Sequence, residues 1–379
     1  MSIYLDYNAS TPVDERVLNT MIDVYRNYYG NADSRTHDFG ENARIIVEKS
    51  RESVAHLLNV KKDEVFFTSG ATESDNIATL GLWECAEKNN KHHIITTAIE
   101  HKAVLEPLKY LSRNGFDITF IKPDEDGKIA VCDVVNSIRK DTLMVSVMHV
   151  NNETGIIQPV QQLGEILSDT DILFHIDAAQ SCGKLVDELR NMKYDMLSAS
   201  AHKMYGPQGI GALILKKKRY KLPPISALMF GGQQERGLRP GTVPTALIAG
   251  FGEACSIAAR EYKSNSDIYC KNKNEILNLL ENSGLRYHIN GSVKLSVANT
   301  INIAFDGINS EAFMLATKRY CGVSNGSACN SNNYKLSYVL EAMGLDADRI
   351  RSSIRISWGK EPLCQKEVKN MLLTIKQLI

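Results

Sequence analysis

Two rhythms of apolar and polar residues alternate along most of this chain. From Glu64 onward, short apolar runs occur at 65–68, 94–98, 118–121, 143–149, 172–176, 196–200 and 210–215. Between most of them lie stretches with apolar residues every third or fourth position, at 72–88, 103–114, 131–139 and 160–168. Apolar strand cores separated by amphipathic helices predict a mostly parallel sheet covered on both faces. Upstream, Ile3, Leu5 and Tyr7 alternate with polar residues. Thr11-Pro12-Val13-Asp14 then opens a predicted helix reaching about residue 28. A second helix is expected over 40–59, with Ala43, Val47, Val54 and Leu58 on one face. The rhythm breaks after Lys216. Leu222-Pro223-Pro224 and Gly231-Gly232 read as loops, followed by a helix over 245–262.

Beyond Ser264, Lys, Asn and Ser become more frequent. Helices are expected at 267–282, 310–321, 334–344 and 364–378, with strands near 300–305 and 352–357. The predicted class is therefore α/β, with a large domain over 16–260. A smaller α+β domain over 261–379 takes in residues 1–15 as well. A length of 379 residues agrees with two domains, because single cores stop growing below that size.

Charge changes the picture by exclusion. Lys and Arg (44) balance Asp and Glu (44), which leaves no general attraction toward nucleic acid or an anionic membrane. The basic run 216–221 is a local exception, read as a strand leaving the core into solvent. Eight cysteines stand singly, without zinc-like pairs. No apolar run approaches membrane-spanning length, and the first ten residues have no leader-like pattern. The expected setting is the cytoplasm, with reduced thiols and no membrane contact.

Candidate chemistry lies just after the predicted strands, because ligands of open parallel sheets bind at the carboxyl ends. After 65–68 comes TSGATES, where small residues at a helix start can admit a phosphate; a Thr72 cap explains the pattern equally. After 94–98 comes His101, a base or a capping histidine. After 143–149 come Asn151 and Asn152, amides for a ligand or for a turn. Asp177 ends an apolar strand, where a carboxylate is costly unless it is paired or catalytic. Lys203 follows 196–200 on a Gly/Pro-rich turn, placed to lose water and act as an amine nucleophile. A lysine, an anion and a phosphate cradle on one sheet edge are what pyridoxal 5′-phosphate (PLP) requires.

HIDAAQ, SASAHKMYGPQG, TSGATES, EHKAV, HVNNETG, RGLRPGT and SNGSACN together resemble the cysteine desulfurases. These are PLP-dependent, fold type I enzymes of the class-V aminotransferase group, and the likeness runs from Tyr4 to Gly359. The resemblance implies that Lys203 forms the Schiff base and that Asp177 pairs with the pyridine nitrogen. Gln180 would bind the ring 3-oxygen, and His101 would stack on the ring and relay protons. Ala71, Thr72, Ser200 and His202 would hold the phosphate, joined by Thr242 across a homodimer interface. Asn8, Asn152 and Arg355 would bind the substrate carboxylate. Cys329, in a small, polar stretch, would accept sulfur from L-cysteine as a persulfide and release L-alanine. It would pass the sulfur to an acceptor protein, and could ligate an iron–sulfur cluster transiently. Iron–sulfur assembly, tRNA thiolation and DNA phosphorothioation are destinations consistent with the resemblance, without direct nucleic-acid binding.

Two departures stand out. Gly30-Asn31-Ala32-Asp33-Ser34 replaces the family's Gly-Asn-Pro-Ser-Ser, and Lys360 replaces its arginine. The alternatives are a selenocysteine lyase or another class-V aminotransferase. An aminotransferase has no need of a mobile nucleophilic cysteine.

Overall fold

The computed structural model describes residues 3–319, 321–325 and 336–378. Its strands, in chain order, are β1 (Ile3–Tyr4), β2 (Val65–Thr68), β3 (His93–Thr97), β4 (Asp117–Ile121), β5 (Thr142–Met148) and β6 (Leu173–Asp177). They continue with β7 (Met196–Ser200), β8 (Gly211–Leu215), β9 (Tyr287–Ile289), β10 (Thr300–Phe305), β11 (Cys321–Gly322) and β12 (Ser353–Ser357). The central sheet has the order β2-β8-β7-β6-β5-β3-β4. Only β8 is antiparallel to its neighbours. The cause is the link from β7, residues 201–210, which is too short for the crossover that a parallel return needs. Strands β5, β7 and β8 are buried throughout, whereas the edge strand β4 leaves Asp117 and Phe120 in solvent. The mostly parallel α/β sheet read from the sequence is the one observed.

The differences have local causes. The helix expected over 72–88 is two, Ala71–Leu80 and Trp83–Asn89. Gly81 separates them, and its carbonyl accepts the Ser226 N–H at 2.8 Å. Helix Val186–Asn191 was not anticipated. The helices expected over 245–262 and 267–282 are one continuous element, Thr245–Glu281, which passes unbroken through the expected boundary at 260/261. Its first half packs Ile248, Phe251 and Cys255 into the core under the sheet. Its second half gives Tyr269, Ile276 and Leu280 to a separate core with Ile303, Phe313 and Trp358. Gly252 lets this helix approach helix Asp38–Leu58 closely, since a Cβ there would stand 2.6 Å from Ser50 Cβ.

The second core is roofed by the antiparallel sheet β12-β10-β9. Residues from both chain ends meet in it. Leu5 is part of that core, and β1 lies parallel to β11.

The basic run leaves the core into solvent as expected, with residues 218–221 exposed, although its lysines find partners on the way out. Lys216 lies over the Tyr194 ring at 4.0 Å, Lys217 pairs with Asp63, and Lys218 Nζ donates to the carbonyls of Ser168 and Thr170. Among the described residues no helix is long and apolar enough to cross a membrane.

A buried ion pair fixes the loop after β8. Arg51 donates to both oxygens of Glu235 at 2.8 Å, and the Phe67 N–H donates to Glu235 Oε2 at 2.7 Å. Glu235 and Arg236 both hold left-handed backbone (φ 46° and 58°), a strained pair for non-glycine residues. Glu235→Gln removes the charge opposite Arg51 and is expected to cost about 3–5 kcal/mol. A chemical-denaturation midpoint unchanged from the parent would contradict this.

Candidate functional site

The carboxyl ends of β2, β3, β5, β6 and β7 open into one cavity of about 530 Å³. Parallel strands deliver their ends to the same edge, so residues distant in sequence converge there. The site residues anticipated from the sequence that line it are Asn8, Ala71, Thr72, His101, Asn152, Asp177, Gln180, Ser200, His202, Lys203 and Arg355. Thr242 is not brought in. It lies exposed on the loop after Pro240, away from its own chain's cavity. Cys329 falls outside the described residues.

Lys203 sits on a single 3₁₀ turn, Ala201–Lys203, directly after β7. Its amine donates to the backbone carbonyls of Asn8 and Ala9, so the N-terminal segment holds it in place. Burial lowers its pKa to about 8, helped by Arg355 and opposed by Asp6 and Asp177. Asp177 ends β6 and is buried. Its Oδ1 accepts the Ala179 N–H at 2.8 Å, which turns the carboxyl toward the cavity. Burial pushes this carboxyl up, while the Ala179 N–H, His101 and Lys203 favour the anion.

His101 is the helix cap and also lines the cavity. Its Nδ1 accepts the Ala103 N–H at 3.1 Å, capping helix Lys102–Arg113, and its ring lines the cavity. Because Nδ1 accepts, the remaining proton is on Nε2. Burial lowers the imidazole pKa.

The start of helix Ala71–Leu80 has no side-chain cap, so its first N–H groups face the cavity bare. Gly70 precedes it at φ +152°, a conformation that favours glycine. Unpartnered N–H groups at a helix start, with Ser200 and His202 beside them, suit a phosphate. Glu73 in the same turn pairs with Arg239 at 3.0 Å, which ties the RGLRPGT loop to this end of the cavity.

On the opposite wall Arg355 is already engaged. Its Nη1 donates to the Asn152 carbonyl at 2.9 Å and its Nη2 meets Asp6 at 2.6 Å. Arg355 Nε, Asn152 Oδ1 and Gln180 Oε1 are buried without a hydrogen-bond partner among the described residues. Orphaned polar atoms at this density are rare in folded proteins and mark places that await a ligand. A bare helix start, a buried anion, an amine and orphaned amides together fit PLP with an amino-acid substrate.

The sequence reading named none of five charged wall residues as site residues: Asp6, Glu73, Asp75, Lys102 and Glu153. Asp6 stands in Tyr4-Leu5-Asp6-Tyr7, a stretch whose only visible signal is its alternation. Lys360, the departure from arginine, lies behind the cavity, where it bridges Asp14 at 2.6 Å and covers the Tyr205 ring at 4.6 Å.

Glu100, beside His101, is fully buried. Its Oε1 accepts from Thr97 Oγ1 and the Met148 N–H, whereas Oε2 has no partner. Burial raises its pKa to about 8. A carboxyl raised on folding contributes stability that is complete below its unfolded pKa and is lost as pH rises through the folded value. Glu100→Gln keeps the acceptor and removes the titration. The variant should therefore match the parent near pH 4 and exceed it by a few kcal/mol near pH 8, since each tenfold change in a proton equilibrium is worth about 1.4 kcal/mol. Denaturation midpoints measured across that range check it, and parallel curves would refute it.

The aminotransferase class-V family model matches residues 3–370. A "Cysteine desulfurase IscS" of Vibrio cholerae is 43% identical over 363 residues, covering 95% of this chain and 88% of its own. Among solved structures, a "NifS-like protein" superposes with a TM-score of 0.91 at 38% identity over 100% of this chain and 99% of that one. "SspA in complex with cysteine" gives a TM-score of 0.82 at 36% identity, covering 95% and 99%.

Proposed function

The chain belongs to the aminotransferase class-V family, and from that premise we infer that it is a cysteine desulfurase. Its cofactor is PLP and its substrate is L-cysteine, in keeping with the relatives' names. The observation that carries this reading is the convergence of Lys203, Asp177 and an uncapped helix start on one cavity. When bound, PLP supplies an aldehyde that captures amines and a ring that takes up electron density from the substrate Cα.

The residues of this chain do the rest. The N–H groups at the start of helix Ala71–Leu80, with Thr72, Ser200 and His202, hold the phosphate. Asp177 would hold a proton on the pyridine nitrogen, Gln180 would meet the ring oxygen, and His101 would stack on the ring. Asn8, Asn152 and Arg355 orient the substrate carboxylate, with Asp6 fixing the guanidinium. The Lys203 amine, held low enough to be partly neutral, takes the Cα proton and later returns a proton to carbon. The Cys329 thiolate attacks the substrate sulfur. The Cβ–S bond breaks with its electron pair left on the carbon side, so alanine forms and Cys329 carries a persulfide for an acceptor thiol. Thr242, exposed on the Arg239-anchored loop, would reach the phosphate of a second copy of the chain in a homodimer.

The test is direct. The full chain incubated with PLP should gain a visible absorbance band. With L-cysteine and a thiol reductant it should then release alanine and sulfide in equal amounts. Formation of a keto acid instead of alanine would assign an aminotransferase and end this reading.

A further inference from the structure

Asp75 is a fully enclosed charge-bearing side chain on the cavity wall. Its helix starts at the phosphate turn, its residue is fully buried, and neither carboxyl oxygen has a hydrogen-bond partner among the described residues. Across from it stands His175, two residues before Asp177 on β6 and so on the same face of that strand. His175 Nε2 lies 3.5 Å from Asp75 Oδ1, beyond an ordinary hydrogen bond. That ring is already engaged, with Nδ1 at 2.8 Å from Ser146 Oγ and Nε2 at 3.1 Å from Ser198 Oγ. It is also buried and held neutral, so it is no counterion.

We propose that Asp75 is a positioning residue for Asp177: a neutral carboxylic acid behind it that keeps the one proton of this buried pair and leaves Asp177 as the anion facing the cavity. The inference rests on the cofactor-holding role given to Asp177 above.

The asymmetry of the two surroundings decides which acid keeps the proton. Asp177 accepts a backbone N–H and faces the cationic side of the cavity, His101 and Lys203. Asp75 faces acids: Asp177 and Glu100 both oppose its ionisation, and Ser198 alone favours it. Two carboxylates in one dry compartment do not both ionise, and the proton goes to the one with fewer donors. With Asp75 neutral, the full negative charge is concentrated at residue 177, where a pyridinium would need it. Ionised, Asp75 would place a second, uncompensated anion in the same compartment.

Infrared difference spectra between the full parent chain and its Asp75→Asn variant, both without PLP, test this. At neutral pH, Asp75→Asn should remove one protonated-carboxyl stretch. It should also leave the pH midpoint of the PLP absorbance within about a factor of two in proton concentration, because one uncharged group replaces another. An unchanged carboxyl region, or a midpoint moved by tenfold or more, would overturn the proposal. Should the variant fold poorly, aspartate-selective carbon-13 labelling of the parent chain decides. One protonated aspartate signal at neutral pH is expected, Glu100 being silent, and its absence refutes the idea. The infrared and carbon-13 readings need no cofactor, so they stand apart from any failure of the chain to take up PLP.

Discussion

Lys203→Ala should lose desulfuration by about a thousandfold or more while leaving the fold intact. One side chain supplies both the amine that holds PLP and the base that moves the Cα proton, and a positioned base alone is worth about 10²–10⁴ in rate. Burial is what suits this lysine to the task. A solvated lysine near pKa 10.4 is neutral in roughly one molecule per thousand at pH 7.5. With the amine lowered to about 8, roughly one in four is neutral. The same depression means that burying the amine weakens the native state in full below about pH 8, and that this cost is relieved only as pH rises from there toward the ordinary lysine value near 10.4. Removing the side chain therefore should not lower the unfolding midpoint near neutral pH. Absorbance of the dialysed variant with PLP, alanine release from cysteine and the unfolding midpoint are the three measurements. Retained alanine release would refute the role of Lys203. A collapsed midpoint would mean that the tie from its amine to the carbonyls of Asn8 and Ala9 matters more than the cost of burying it.

The second large effect belongs to Cys329→Ser. Sulfide release should fall below detection, while the PLP absorbance band and its perturbation by L-cysteine stay as in the parent chain. A hydroxyl near its ordinary pKa is a far weaker nucleophile toward sulfur than a thiolate, and an oxygen in that place cannot carry the sulfur onward as a persulfide. The separation of binding from transfer is what gives this variant its value. None of the wall residues described above depends on position 329, so substrate capture should persist without turnover. Normal sulfide release would show that another thiol receives the sulfur. The exposed cysteines, Cys132, Cys270 and Cys364, would then be next to replace.

What the sequence conveyed and what it hid divide along physical lines. The seven sheet strands were legible because each is an apolar run closed by a polar turn. Their carboxyl ends could then be searched for chemistry by a rule that needs no coordinates. Lys203, Asp177 and His101 were found that way. Asp75 was not: within TSGATESDN it is one more polar residue on an amphipathic helix, and only burial sets it apart. Asp6 was hidden for another reason, since its partner Arg355 is distant in sequence and the pair exists only once the chain ends meet. The long helix was missed because Ser264-Asn265-Ser266 reads as a loop. In the structure these residues lie on the stretch of helix between two cores, where no apolar side chain is needed, and tertiary packing at both ends carries the helix through.

The meeting of the two chain ends has a consequence for how the molecule is made. β1 cannot pair until β11 exists, and Leu5 cannot find its neighbours Ile354 and Ile356 until the final strand has emerged. At roughly 5–20 residues per second, a ribosome needs on the order of 20–70 s to reach that point. Until then the segment that carries Asn8 and Ala9 is anchored from one side alone, where Thr11 and Asp14 bond His202 and Tyr205, and its second anchor, on β11 and β12, arrives only once residues 353–357 have emerged.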